Sequence, residues 1–113
     1  MTQPYKYQGD NFAIARVTDC DVRCDRQTPY GNPFRMRNKS DQEREFVVNK
    51  YRRHVWDLIC KQDPTMMSLL RQLWDARQAI GDRPLKLGYW CSPKSCHCDV
   101  LAAATDYCFG GAP

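Results

Sequence analysis

No apolar run in this chain approaches the roughly 18 residues that a membrane span requires, so no membrane partner is expected. The opening residues, Met1 to Asp10, hold no apolar stretch of the kind found in a secretory signal, which points to the cytoplasm. No internal repeat and no low-complexity tract interrupts the chain. Glycine is sparse as well, and no glycine-rich loop of the conventional phosphate-binding kind precedes the last helical segment.

Cysteine, by contrast, is abundant: there are seven, an odd number, in 113 residues. Without an export signal, a disulfide framework is a poor reading of that count. Metal binding, reactive thiols or plain burial fit better. The length suits one domain with a single core, and 42% hydrophobic with 27% charged residues is a globular balance. Charge is uneven along the chain. Between Arg16 and Arg53 ten basic residues face six acids, while the remainder is neutral, so the net charge of +4 lies in that stretch. Such a surplus favours an anionic partner, a phosphate-bearing small molecule or nucleic acid, although a solvated charged face accounts for it equally well.

Alternating residues predict a strand over Phe12–Thr18 and a second over Val22–Arg26. Thr28–Phe34, with two prolines and a glycine, reads as a loop. Ser40 and Glu43 fit a capping box for a helix from Asp41 to about Cys60, with Val47, Tyr51, Val55 and Leu58 at helical spacing. Asp63-Pro64 opens another helix whose apolar face is Met66, Leu69, Leu70, Leu73 and Ile80, closed by Gly81. Leu85–Cys91 is a third strand, and Ser95 caps a last helix running to about Cys108. The order β-β-α-α-β-α predicts one small α/β domain over residues 12–109, a short sheet covered by helices. Residues 1–11 read as a flexible or loosely docked arm and 110–113 as a tail.

The richest segment is Trp90–Leu101, which places Cys91, Cys96, His97, Cys98 and Asp99 between that third strand and the last helix. Open α/β sheets bind ligands at such corners, where strand ends meet helix N-termini. Thiols in the first helical turn sit in the positive field of the helix, which favours the thiolate. Three readings stay open. In one, Cys91, Cys96 and Cys98, with His97, hold zinc, and a distant thiol such as Cys20 or Cys108 completes the site. In another, the first-turn N–H groups hold a phosphate, His97 and Asp99 supply acid–base groups, and Arg26 and Asn32 reach in from the proline-rich loop. In the third, the cysteines are buried hydrophobes, His97 caps the helix and Asp99 is a first-turn charge. Cysteine nucleophilic catalysis would need a base from elsewhere, because His97 points about 100° away from Cys96 on a helix. His54 reads as a surface residue, and Trp56 and Trp74 read as core.

Three blocks carry a family resemblance: Asp25-Arg26 with Thr28–Phe34, Glu45–Arg53, and Trp90-Cys91-Ser92-Pro93 followed by Cys96-His97 and Asp99-Val100-Leu101-Ala102. Together they resemble the domain of unknown function 4326 group, small proteins frequent in phage and bacterial genomes. The resemblance implies a compact α/β fold over residues 12–105 and, for a phage-encoded member, action in the host cytoplasm. The Cys…Cys-His element is also similar to Rossmann-like nucleotide-handling proteins, an analogy of fold only. Cys98 stands where the family usually has glycine, and Cys24 where it tends to have an aliphatic residue, which marks Cys24 as a buried core thiol.

These readings combine into one expectation: a cytoplasmic α/β protein that binds a nucleotide-like or other phosphate-bearing ligand. Arg26 and Asn32 contact the anion, Cys96 and His97 line the site, and Asp99 orients His97 or a water. Whether it is an enzyme stays open, with His97 and Asp99 the catalytic candidates. The alternative is a non-enzymatic protein that binds a host protein or nucleic acid through its basic face, its cysteines structural or holding zinc.

Overall fold

The computed structural model describes residues 7, 9–24, 30, 40–88 and 97–110. The order of elements matches the expectation: β1 (Phe12–Ala15), a 3-10 turn (Val17–Asp19), β2 (Val22–Arg23), α1 (Asp41–Cys60), α2 (Pro64–Ile80), β3 (Leu85–Gly88) and α3 (His97–Phe109). The three strands form one parallel sheet in the order β1-β3-β2. Residues 25–29, 31–39 and 89–96, which carry the rest of the expected second and third strands, the loop and the Ser95 cap, lie outside the described residues.

Local chemistry explains the helices. The Ser40 hydroxyl accepts the Glu43 N–H at 3.1 Å, which starts α1 as the capping box requires. Asp63 caps α2 by accepting the Met66 N–H at 2.9 Å, with Pro64 in the first turn. At the end of α2, Gly81 takes φ 81°, a conformation glycine adopts without strain. The turn between α1 and α2 is a Schellman closure: the Gln62 N–H donates to the Ile59 carbonyl at 3.0 Å and the Asp63 N–H to Leu58 at 2.9 Å. Gln62 stands at the left-handed position with φ 54°, where glycine is usual.

The first strand is shorter than its alternation suggested, ending at Ala15 rather than Thr18. The reason is topological. β1 pairs with one edge of β3 and β2 with the other, so the short connection between them must cross β3. It does so as the 3-10 turn, over Gly88. A Cβ at Gly88 would overlap the Cys20 side chain and come within 3.1 Å of the Val17 Cα, so the crossing depends on a residue with no side chain.

On the opposite face of the sheet Leu85 and Leu87 are buried against the helices, whereas Lys86 stays exposed, the period-two alternation of a strand. α3 is the central element. His97 to Ala102, together with Ala104, Thr105 and Asp106, are all buried. Over its first turns the helix is buried on every side, which requires small residues to let its neighbours close, and Ala102 and Ala104, both 0% exposed, serve that end. No helix among the described residues is long and apolar enough to cross a membrane.

Candidate functional site

In a parallel sheet the strand carboxyl ends all point one way, and here α3 begins beside them. His97, its first residue, is 1% exposed and sets its ring edge-on to Tyr51 of α1, with centroids 5.4 Å apart. The Nε2 of His97 is hydrogen-bonded to the carbonyl of Cys24, the residue that follows β2. A carbonyl can only accept, so Nε2 carries the proton and donates it to Cys24. Cys24 and Cys98 are both fully buried. The Tyr51 phenol is held neutral well beyond its ordinary range, chiefly by burial and further by these two thiols nearby. A buried joint of Cys24, Tyr51, His97 and Cys98 therefore ties the end of β2 to the start of α3 and the middle of α1.

Tyr30 extends the joint towards the proline-rich segment. It is buried, its hydroxyl donates to the Leu69 carbonyl of α2 at 3.0 Å, and burial, with Cys24 adding to it, pushes its phenol up to about 12.

A second polar cluster lies on another side of α3. The helix turns about 200° between His97 and Asp99, so the two residues face different surroundings. Asp99, 1% exposed, accepts the backbone N–H of Tyr7 at 2.9 Å. Two turns on, Asp106 accepts the Tyr7 hydroxyl through Oδ2 and the Asn11 side-chain amide through Oδ1 at 3.0 Å. The Tyr7 hydroxyl in turn accepts the Asn11 N–H at 3.1 Å. Gly9 lets the chain curl round this hydroxyl, since a Cβ there would sit 2.6 Å from Asp106 Oδ2. Burial, then the Asp106 carboxylate, raises the Tyr7 phenol far above its ordinary range. Tyr7 is thus seated on α3, within the segment expected to form an arm.

Of the expected site residues, the structure places His97, Cys98 and Asp99 in the first turn of α3, all buried. Arg26, Asn32, Cys91 and Cys96 lie outside the described residues. Of the expected zinc set, His97 and Cys98 are described, both buried at the start of α3. Cys20 packs over Gly88 at the 3-10 crossing, with its thiol donating to the Val17 carbonyl at 3.2 Å. Among the described residues no group of three or more His, Cys, Asp or Glu side chains could hold a metal ion, and the five cysteines are free thiols. Tyr7, Asn11 and Asp106 were not singled out from the sequence. The available signal was Asp106 itself, a carboxylate seven positions after Asp99 on an alanine-rich helix.

This architecture defines a small α/β protein whose last helix is clasped between a strand end and the N-terminal segment. A family model described as Domain of unknown function (DUF4326) matches residues 10–107, so the chain belongs to that family, as its three sequence blocks indicated. No curated protein and no solved structure matches the chain.

Proposed function

We propose that the protein binds a nucleotide-like or other phosphate-bearing small molecule in the crevice where β2 and β3 end and α3 begins, in the manner of Rossmann-like sheets. The observation that supports this most is the hydrogen bond between His97 and the Cys24 carbonyl. Arg26 comes two residues, at most roughly 7 Å of extended chain, after the Cys24 carbonyl that His97 holds. Asn32 likewise follows Tyr30, which is seated on α2. In this reading Arg26 and Asn32 contact the anion, the first-turn N–H groups of α3 face it, and Cys96 and His97 line the floor. Asp99 fixes the far side of the same turn. Where a reaction is run on the ligand, His97 and Asp99 are the acid–base candidates. The setting is the cytoplasm, that of the host for a phage-encoded member.

Thermal shift against nucleoside mono-, di- and triphosphates and inorganic phosphate tests the proposal. At 100 times Kd a bound ligand adds about 2.7 kcal/mol, which reads as a clear rise in Tm. Arg26→Ala should abolish the rise while leaving the unliganded Tm in place. A wild-type protein that gains no stability from any of these anions overturns the reading.

A further inference from the structure

The segment that holds Tyr7, Gly9 and Asn11 meets α3 at two points on one helical face. Asp99 and Asp106 are seven residues apart, which returns them to within about 20° of the same line and sets them roughly 10.5 Å apart along the axis. Both are buried. Tyr7 bridges them, its backbone N–H donating to Asp99 at 2.9 Å and its hydroxyl to Asp106. The direction of α3 fixes where this bridge lies. The helix starts at the Cys24 carbonyl, just past β2. At Asp106 it has come to Asn11, which precedes β1 and whose carbonyl accepts the Leu85 N–H that opens β3. α3 therefore runs antiparallel to the strands, and the chain passes from their carboxyl ends at the Tyr7 N–H to their starts at Asn11. The backbone of Tyr7 thus enters beside the first turn of α3, the turn assigned above to the ligand. The seat fits this segment closely. Gly9 leaves room for the Tyr7 hydroxyl and Asp106, and the Tyr7 ring stands edge-on to Phe12 with centroids 6.0 Å apart.

We propose, resting on the crevice reading given above, that this segment is a strap that sets the anion affinity of the crevice: seated on Asp99 and Asp106 it favours the phosphate-bearing ligand, and released it disfavours it. The physical link is Asp99. As the third residue of α3 its carboxylate lies in the positive field of the helix start, the same field that an arriving phosphate uses. Two anions in that field repel each other. The Tyr7 N–H presents the positive end of a peptide dipole to Asp99 and so offsets part of the repulsion. It also holds the carboxylate on its own flank, about 200° round from His97. Release removes both effects. By linkage the ligand must in turn tighten the seat by the same factor. The seat is suited to such coupling, because a few part-buried hydrogen bonds hold it and it can open without unpacking the layers.

Inorganic phosphate, with ATP as a second probe, tests the strap in the full chain. Saturating phosphate should slow amide exchange at Tyr7 and Asn11, both hydrogen-bonded in the seat, about tenfold. Gly9→Ala and Tyr7→Phe leave every charge in place, yet each should weaken phosphate binding about tenfold by calorimetric titration. Adding Asp99→Asn to Tyr7→Phe should recover most of that loss, since the competing charge is gone, whereas a merely structural strap is not rescued by this change. Phosphate affinity unchanged in both single variants overturns the strap. Exchange at Tyr7 and Asn11 that ignores phosphate overturns it too, as does a loss that Asp99→Asn fails to rescue. The exchange experiment uses the wild-type chain and decides the matter even if a variant does not fold. A wild-type protein that binds neither anion removes the strap together with the crevice reading, and is thereby told apart from failure of the strap alone.

Discussion

The two polar clusters on α3 share a helix but do different jobs. The His97 cluster joins secondary-structure elements: a strand end, a helix start and the flank of α1, through a ring that fills space and bonds at once. The Asp99–Asp106 cluster joins the helix to an irregular segment, through hydrogen bonds that Tyr7 and Asn11 distribute over two turns. Loss of the first should loosen the whole sheet-to-helix layer. Loss of the second should release Tyr7 and its neighbours and leave the layers packed. A single buried helix can thus hold a rigid joint and a detachable one.

The sharpest way to break the contrast is His97→Ala. It removes a buried ring from beside Tyr51 and leaves the Cys24 carbonyl without its donor, a combined cost of about 3 kcal/mol. Urea denaturation should show the midpoint falling accordingly. A smaller cost than that of deleting Asp106 would reverse the ranking of the two clusters.

Next in size is the pair Tyr7→Phe and Asp106→Ala. Each alone should cost about 1–2 kcal/mol, because a part-buried donor or acceptor loses its partner. The double variant should cost less than the sum, by about 1 kcal/mol, since both changes remove the same bond. Amide exchange at residues 7–11 should accelerate in either variant while α3 stays protected. Protection lost throughout α3 would show that the second cluster is as structural as the first.

These two clusters also mark how far the sequence was legible. The helices could be read because their caps are local: Ser40 with Glu43, Asp63 with Met66, and Gly81 each act within four residues. The candidate corner could be read because His97, Cys98 and Asp99 are adjacent in the chain. What escaped was non-local or conformationally costly. Tyr7 and Asp106 are 99 positions apart, and no periodicity links them. The strand order, and with it the early end of β1, depends on a crossing over Gly88 that the alternation of Phe12 to Thr18 does not encode. The contact between Asp99 and the Tyr7 backbone N–H joins residues 92 positions apart, which no local pattern encodes.

Alkaline pH separates the clusters in another way, because each contains a phenol whose ionisation folding opposes. Tyr30 is pushed from 10.0 to about 12, and Tyr7 and Tyr51 are raised as well, in each case by burial first. Above pH 10 the unfolded chain therefore binds fewer protons than the native one, and stability falls as pH rises. The contribution is fully present below pH 10 and fades towards pH 12 for Tyr30. Tyr51→Phe should flatten this limb of the stability profile while keeping the ring against His97. Tyr7→Phe should flatten it too, in addition to losing its bond to Asp106. An alkaline limb unchanged in Tyr51→Phe would mean that this phenol is solvated.

The smallest expected effect touches neither cluster and so calibrates the rest. Gln62 holds φ 54° in the Schellman turn, where its N–H and that of Asp63 close α1. A residue with a Cβ is strained there, and the glycine that usually fills this place is not. Gln62→Gly removes that strain but frees the unfolded chain, so the net gain is the smaller remainder, about 0.5–1 kcal/mol. Tm should rise by a few degrees, with the alkaline limb and the Tyr7–Asp106 coupling unchanged. A fall in Tm would show that the Gln62 side chain contributes more to the turn than its backbone costs. In that case energies measured at either cluster could no longer be read against a neutral α1–α2 connection.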